Sequence, residues 1–142
     1  MSKFSITSSD FSAGEEISKK FGYKFENKEP KLDFNDIPEG TQSIGLIMDD
    51  PDAMAVVGKI WVHWLQYFDF PSKNLIIEGK TDFGKIGYGG PAPPNGLHTY
   101  IFKGYALDMQ LDLKEGYSKQ DLEHVMKGHI IAEAKLTGTF TS

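Results

Sequence analysis

The sequence predicts an all-β domain, mainly strands with one short helix in the C-terminal half, arranged as a two-sheet antiparallel β-sandwich. Three observations predict this class. The 142 residues include 15 Gly and 7 Pro, a turn-rich composition. Segments with the pattern of short strands recur along the chain, and the single helical pattern comes late, which does not favour βαβ units. The length fits one domain spanning residues 1–142.

Four segments have the pattern of strands. In residues 43–49, Ile44, Leu46 and Met48 alternate with Gly45 and Ile47, and residues 98–107 are rich in aromatic and β-branched side chains. Residues 130–140 place small apolar side chains opposite charged and polar ones. Residues 60–70 are too uniformly apolar to face water on either side, and this predicts a central strand.

One helix is predicted between the last two strands. Ser118 is a candidate N-cap, with Asp121 three residues later, and apolar residues that include Leu122 and Met126 follow at helical spacing. Gly128 can adopt the left-handed conformation that ends a helix.

Composition excludes several function classes. The chain has no cysteine, so disulfides, thiolate catalysis and cysteine-ligated zinc are excluded. The net charge is −5 without a cluster of basic residues, and this argues against nucleic acid and anionic membranes as partners. We find no signal peptide and no apolar segment long enough to span a bilayer, and we expect a cytoplasmic protein without cofactor or metal.

Three residue pairs have strand spacing and stand beside predicted turns. Residues two apart on a strand share a face, so each pair can place two functional groups in one pocket. The pairs are Asp50 and Asp52, Trp61 and His63, and His98 and Tyr100. Each member also has a structural interpretation, since Asp-Pro-Asp commonly starts a turn and a histidine or tyrosine on an apolar strand is often a core residue.

A glycine- and proline-rich segment precedes His98. Residues 84–96 contain five Gly and three Pro. Such a composition lets backbone N–H groups approach a ligand, while proline limits the entropy lost in fixing the loop.

These motifs resemble the phosphatidylethanolamine-binding protein family, also called Raf kinase inhibitor-like proteins, and in particular its small bacterial and archaeal branch. The resemblance rests on Asp50-Pro51-Asp52-Ala53, on Trp61-Val62-His63-Trp64, and on the block GYGGPAPPNGLHTYIF at residues 87–102. The glycine- and proline-rich block is the most specific of these motifs. The resemblance extends over nearly the whole chain.

The resemblance implies a Greek-key β-sandwich with a small anion pocket at one end. In that family the pocket takes phosphate, phosphoethanolamine headgroups and similar small anions, and small prokaryotic members are often homodimers. The ligand-binding residues that it implies here are Asp50, Asp52, Trp61, His63, His98 and Tyr100, with backbone groups of Gly90 and Pro91.

Three departures from the family pattern concern this pocket. Met54 stands where the family usually has Pro, and Thr99 stands where it usually has Arg. Loss of that guanidinium removes a group expected to pair with a carboxylate such as Asp52. Residues 21–31 also lack the usual Asn-x-Ser-Pro pattern.

The sequence therefore predicts a small-anion binding protein. An alternative is a protein-interaction module that inhibits a kinase or a protease, as the resemblance implies for some relatives. An enzyme is less favoured, because no catalytic nucleophile and no nucleotide-binding glycine motif is evident, although Asp, His and Tyr can act as general acids and bases.

Overall fold

The computed structural model describes residues 3–73 and 75–142. Within them, the strands are β1 (Ser5–Ser8), β2 (Leu32–Asn35), β3 (Ser43–Asp50), β4 (Trp61–Asp69), β5 (Ile76–Glu78), β6 (Leu97–Leu107) and β7 (Ile130–Thr141). The α-helices are α1 (Met54–Val57) and α2 (Lys119–Met126), and Lys19–Phe21 and Pro51–Ala53 form short 3-10 helices.

The larger sheet contains five antiparallel strands in the order β5-β4-β3-β6-β7. Strands β3, β4 and β5 follow one another as neighbours, and β6 returns to pair with the free side of β3. This order is a Greek key. Strands β1 and β2 form a second, two-stranded antiparallel sheet.

The four predicted strands are confirmed within one residue at each end, as β3, β4, β6 and β7. The prediction that residues 60–70 form a central strand is confirmed, because β4 is not an edge strand. Strand β4 has a neighbour on both sides, but β3 occupies the middle of the sheet. Both are buried because a layer covers each face of the sheet, so their sequences alone do not distinguish them.

Different layers cover the two faces of the five-stranded sheet. On one face the β1–β2 sheet packs through Phe34, whose ring centroid lies 5.5 Å from that of Phe68. We call this the sandwich face. The opposite face is covered by α2 and the segment before it, with Leu122 and Met126 in the core. We call this the helix face.

Helix α2 has the predicted ends. The Ser118 side chain accepts a hydrogen bond from the Asp121 backbone, and the Asp121 carboxylate accepts one from the Ser118 backbone, which completes a capping box. Gly128 has a φ of 85°. The helix lies so close to the sheet that a Cβ atom on Gly45 would be 2.9 Å from Met126 Sδ.

The second helix, α1, was not predicted. It is a single turn of four residues that follows the 3-10 helix Pro51–Ala53 and ends at Gly58. None of the helices in residues 3–73 and 75–142 is long and apolar enough to cross a membrane.

Candidate functional site

A cavity of about 220 Å³ opens where β3 ends and β4 and β6 begin. The three strands are antiparallel neighbours in the order β4-β3-β6, so the C-terminal end of β3 lies beside the N-terminal ends of β4 and β6 at one end of the sheet. Side chains from the strands, from α1 and from the glycine-rich segment line the cavity. They are Asp50, Ala53, Val56, Val57, Trp61, His63, Phe83, Ala92, Pro94, His98 and Tyr100.

A buried hydrogen bond joins β3 to β6 in the cavity wall. His98 Nδ1 lies 2.7 Å from Asp50 Oδ2, and both side chains are almost fully buried. Asp50 Oδ1 accepts a hydrogen bond of 2.9 Å from the Asp52 backbone N–H. The carboxylate therefore fixes the orientation of the imidazole and caps the 3-10 helix Pro51–Ala53 at the same time.

A β-bulge places His63 in the cavity. Met48 pairs with Trp64, and Asp49 pairs with Val62, so His63 has no partner on β3. The additional residue shifts the alternation of β4, and His63 therefore faces the same side as Trp64. The His63 ring packs edge-on against Tyr100, with 5.1 Å between the ring centroids. The bulge thus brings Trp61 and His63 to the face of the sheet that carries Asp50 and Tyr100.

The backbone of the glycine-rich segment sets the tautomer of His63. His63 Nδ1 lies 2.7 Å from the Gly89 carbonyl oxygen, which can only accept, so Nδ1 carries the proton. The Gly89 N–H in turn donates to the His63 carbonyl. Burial lowers the pKa of His63, and the Gly89 carbonyl and the Asp50 charge oppose that shift less strongly. The neutral ring keeps an accepting Nε2.

Two buried donors of the cavity wall have no hydrogen-bond partner. Trp61 Nε1 and Tyr100 Oη are both inaccessible to solvent, and within the described residues neither makes a hydrogen bond of standard geometry. The polar neighbours of the Tyr100 hydroxyl are Asp50 and the Ala92 backbone; burial first, and the Asp50 charge second, raise its pKa. Because buried donors are nearly always paired in native proteins, Trp61 Nε1 indicates a missing acceptor, whereas the Tyr100 hydroxyl has Asp50 and the Ala92 backbone beside it but no hydrogen bond of standard geometry with either.

The cavity contains a carboxylate and no basic side chain other than its two histidines. Asp50 is its only acidic residue, and none of its lining residues is a lysine. The chain has no arginine at all. Lys59 Nζ lies 5.9 Å from the Trp61 ring centroid but forms an ion pair of 2.8 Å with Asp82. The electrostatic balance of the site therefore depends on Asp50 and on the protonation of His63 and His98.

The structure brings together five of the eight residues that the sequence analysis assigned to the pocket. Those five are Asp50, Trp61, His63, His98 and Tyr100. Asp52, Gly90 and Pro91 do not line the cavity.

Contrary to expectation, the Gly90 N–H and the Pro91 carbonyl are not available to a ligand in the cavity. The Gly90 N–H donates to Asn27 Oδ1 at 2.7 Å, and the Pro91 carbonyl accepts from the Tyr23 N–H at 3.0 Å. A Cβ atom on Gly90 would lie 2.0 Å from the Phe21 carbonyl oxygen. The glycine is therefore needed for close packing against residues 21–27. The backbone of Gly89, with that of Gly90 beside it, interacts with the His63 ring.

Asp52 is exposed, and its carboxylate accepts a hydrogen bond of 2.8 Å from the Thr99 backbone N–H. The Thr99 backbone N–H thus satisfies Asp52, for which the family resemblance had led us to expect an arginine partner. The contact ties the 3-10 helix Pro51–Ala53 to the beginning of strand β6 and leaves the carboxylate outside the cavity.

Sequence reasoning did not find the apolar wall of the cavity. Six lining residues were not predicted, namely Ala53, Val56, Val57, Phe83, Ala92 and Pro94. The sequence did contain one signal for Phe83, which directly precedes the glycine-rich segment at residues 84–96. In the structure, the Phe83 ring packs so closely on that segment that a Cβ atom on Gly89 would lie 2.5 Å from it. Within residues 3–73 and 75–142, no three His, Cys, Asp or Glu side chains are grouped closely enough to hold a metal ion.

Comparisons with known proteins agree with this architecture. The family model described as phosphatidylethanolamine-binding protein matches residues 7–141. A UPF0098 protein of Chlamydia muridarum is 40% identical over 145 residues, which covers 95% of this chain and 97% of the relative.

Two solved structures share the fold. A phosphatidylethanolamine-binding protein homolog from Chlamydia trachomatis superposes with a TM-score of 0.88 at 35% identity, covering 100% of this chain and 99% of the other. Escherichia coli YbcL, reported as a member of the mammalian PEBP family, has a TM-score of 0.86 at 26% identity, with 99% of each chain covered. The chain therefore belongs to the phosphatidylethanolamine-binding protein family.

Proposed function

We propose that this protein binds a small anion with oxygen acceptors, of the phosphate or phosphoethanolamine class, in the cavity between β3, β4 and β6. The observation that carries the proposal is the pair of buried, unpartnered donors, Trp61 Nε1 and Tyr100 Oη, in the wall of one cavity. A ligand oxygen would satisfy both donors and remove the free-energy cost of leaving them unpaired.

The two histidines would complete the recognition. In each ring Nδ1 is occupied, by Gly89 in His63 and by Asp50 in His98. These two hydrogen bonds use Nδ1 and not Nε2. His98 Nε2, when protonated, would donate a charge-assisted hydrogen bond to the anion, and Asp50 would hold the His98 ring in place for it. The neutral His63 ring would accept at Nε2 from a protonated oxygen of the ligand.

The geometry supports binding better than catalysis. The cavity lining contains no serine, threonine or lysine that could act as a nucleophile. His98, whose Nδ1 donates to Asp50, is oriented so that Nε2 could act as a general base, but the lining offers no carboxylate nucleophile other than Asp50 itself, which this hydrogen bond occupies.

The test is an NMR titration of backbone amides and histidine side chains with inorganic phosphate and O-phosphoethanolamine at a pH of about 6.5, the unperturbed pKa of histidine. Saturable shifts at His63, His98, Trp61 and Tyr100 are expected, with millimolar affinity or better.

The matched variants are His98→Ala and His129→Ala. His129 also contacts an aspartate, at 3.0 Å from Asp108, but that pair is on the surface. The shifts should vanish in His98→Ala and persist in His129→Ala. Wild-type protein without saturable shifts, or shifts that survive in His98→Ala, would contradict the proposal.

A further inference from the structure

A single asparagine of the chain stands directly before a glycine. The asparagines are Asn27, Asn35, Asn74 and Asn95, and only Asn95 is followed by glycine, which is Gly96. Asparagine is chemically labile, because the backbone nitrogen of the next residue can attack its side-chain carbonyl carbon. Glycine has no Cβ to shield that nitrogen and restricts the backbone least. This dipeptide is therefore where the reaction meets the least steric resistance.

The fold leaves the reacting groups of this dipeptide accessible. Asn95 and Gly96 are both exposed and lie in a loop directly before the first residue of β6. The Asn95 side chain and the Gly96 N–H make no hydrogen bond to the described part of the chain. Gly96 has a φ of 68°, and apart from its chain neighbours no atom lies within 4 Å of the place of a Cβ. Neither packing nor hydrogen bonding thus opposes a ring closing here.

Two other asparagines are held by hydrogen bonds and serve as internal controls. Asn27 Oδ1 accepts from the Gly90 N–H at 2.7 Å, and Asn35 Nδ2 donates to Thr7 Oγ1 at 3.0 Å. Such a side chain must leave its partner before the next backbone nitrogen can reach its Cγ. We therefore expect both of them to react more slowly than Asn95.

A carboxylate in place of the Asn95 amide would stand at the rim of the cavity. Asn95 lies between Pro94 and His98, which both line the cavity. The main chain then enters β6, and the Gly96 carbonyl accepts a hydrogen bond of 3.1 Å from the Ser142 N–H. A change at Asn95 would therefore place a negative charge near the anion and alter the start of the strand that carries His98.

We propose that Asn95 is a site of spontaneous deamidation, which adds a negative charge to the rim of the cavity. The Gly96 nitrogen forms a bond to Asn95 Cγ and gives up its proton, while the bond from Cγ to Nδ2 breaks and ammonia leaves. Water then opens the cyclic imide. Opening at Cγ gives aspartate with the original main chain, and opening at the Asn95 backbone carbonyl carbon gives isoaspartate, whose main chain runs through Cβ and Cγ.

The balance of the reaction requires only solvent. A water molecule is consumed, an ammonia molecule is released, and no atom changes its oxidation state. The deamidation itself is independent of the proposed function, whereas its effect on anion binding rests on that function.

The test follows the asparagines of the folded wild-type protein over several weeks at neutral pH and physiological temperature. Cleavage after lysine places each asparagine in a separate peptide, namely 25–28, 32–59, 74–80 and 86–103. Mass spectrometry of these peptides measures the conversion of amide to acid. Conversion at Asn95 should be on the order of tenfold faster than at Asn27 and Asn35, whose hydrogen bonds must first open. Similar rates at the three residues, or an Asn95 that keeps its amide throughout, would overturn the proposal.

Asn95→Gln is the control for the cyclic mechanism. The variant keeps an amide at this position, but the longer side chain would have to close a larger ring on the Gly96 nitrogen. Peptide 86–103 of this variant should stay unchanged over the same period. Conversion as fast as in the wild type would exclude attack by Gly96.

Asn95→Asp supplies the product with an unaltered main chain. Its affinity for inorganic phosphate should be on the order of threefold lower than that of the wild type at low ionic strength, and added salt should reduce the difference. Gln110→Glu makes the same change of amide to carboxylate at an exposed residue beyond the other end of β6. It should leave the affinity unchanged.

Peptide masses and phosphate titrations separate this inference from the proposed function. Wild-type affinity in Asn95→Asp would overturn the effect on the cavity and leave the deamidation and the proposed function standing. A wild-type protein that does not bind phosphate at millimolar concentration would overturn the proposed function together with the effect on the cavity. The deamidation is decided by the peptide masses in either case.

Discussion

The Nδ1 atom of His98 lies 2.7 Å from Oδ2 of Asp50, and the two side chains are 6% and 4% exposed. The same residue types form a second pair at His129 and Asp108, 3.0 Å apart and 39% and 51% exposed. The protein therefore contains a buried and an exposed example of one interaction, and the exposed pair is an internal control for the buried one.

Removing Asp50 should destabilise the fold far more than removing Asp108. Asp50→Ala leaves the buried His98 Nδ1–H without an acceptor and also removes the cap of the 3-10 helix, so we expect a loss of about 3 kcal/mol in the free energy of unfolding. Asp108→Ala should cost less than about 0.5 kcal/mol, because exposed pairs contribute little. Urea denaturation of both variants measures the difference, and equal losses would show that burial of the pair contributes nothing.

The Tyr100 hydroxyl should matter for ligand binding and not for stability. Since Oη has no partner of standard geometry among the described residues, Tyr100→Phe should leave the free energy of unfolding unchanged or raise it by about 1 kcal/mol. Affinity for phosphate should fall by about fivefold, as expected for one lost hydrogen bond.

Tyr67→Phe is the control for this prediction. The Tyr67 hydroxyl donates to Asp69 at 2.9 Å and accepts from the Leu111 N–H at 2.8 Å. Its removal should therefore cost about 1–2 kcal/mol and leave phosphate affinity intact. A Tyr100→Phe protein that is destabilised like Tyr67→Phe would mean that the Tyr100 hydroxyl is a structural group.

Burial of His63 should make the fold less stable in mild acid. The folded pKa is lowered by burial, so below the unfolded value of 6.5 the unfolded chain binds more protons than the folded protein. Stability then decreases as pH falls from about 6.5 towards the folded pKa, by at most about 1.4 kcal/mol per pH unit from this one group.

Unfolding free energies at about pH 7.5 and pH 5.5 test this prediction. His63→Asn can still donate to the Gly89 carbonyl but does not titrate, so it should lose less stability on acidification than the wild type. His124→Asn, at an exposed helix position, should behave like the wild type. The same pH dependence in His63→Asn and the wild type would assign the acid sensitivity to other groups.

Gly90 should tolerate no side chain, in contrast to a glycine in open space. A Cβ atom there would lie 2.0 Å from the Phe21 carbonyl oxygen and 2.9 Å from the Tyr23 nitrogen, both backbone atoms that cannot rotate away. We expect Gly90→Ala to cost about 3 kcal/mol or more.

Gly84→Ala provides the comparison, because Gly84 has a φ of +79° but no atom within 4 Å of its added Cβ. It should cost only the conformational term of about 1 kcal/mol. Thermal unfolding of both variants measures the difference. Similar losses would show that the loop can move away from residues 21–27.

The sequence by itself determined the class of the fold, four of its strands and the C-terminal helix. These features depend on local patterns: the alternation of residues 130–140, the apolar run of residues 60–70, and the Ser118 and Asp121 capping box. It also identified five residues of the cavity, because Asp50, Trp61, His63, His98 and Tyr100 stand in recognisable motifs beside turns.

Only the tertiary structure decided how these residues meet. The bulge at His63 depends on pairing between β3 and β4, and the apolar wall depends on where α1 and Phe83 lie after folding. Asp52, Gly90 and Pro91 share motifs with the cavity residues, but their polar groups are satisfied by Thr99, Asn27 and Tyr23. The physical reason is that hydrogen bonds between distant segments have no periodic signature in the sequence, so competition for each polar group is settled only when the chain is folded.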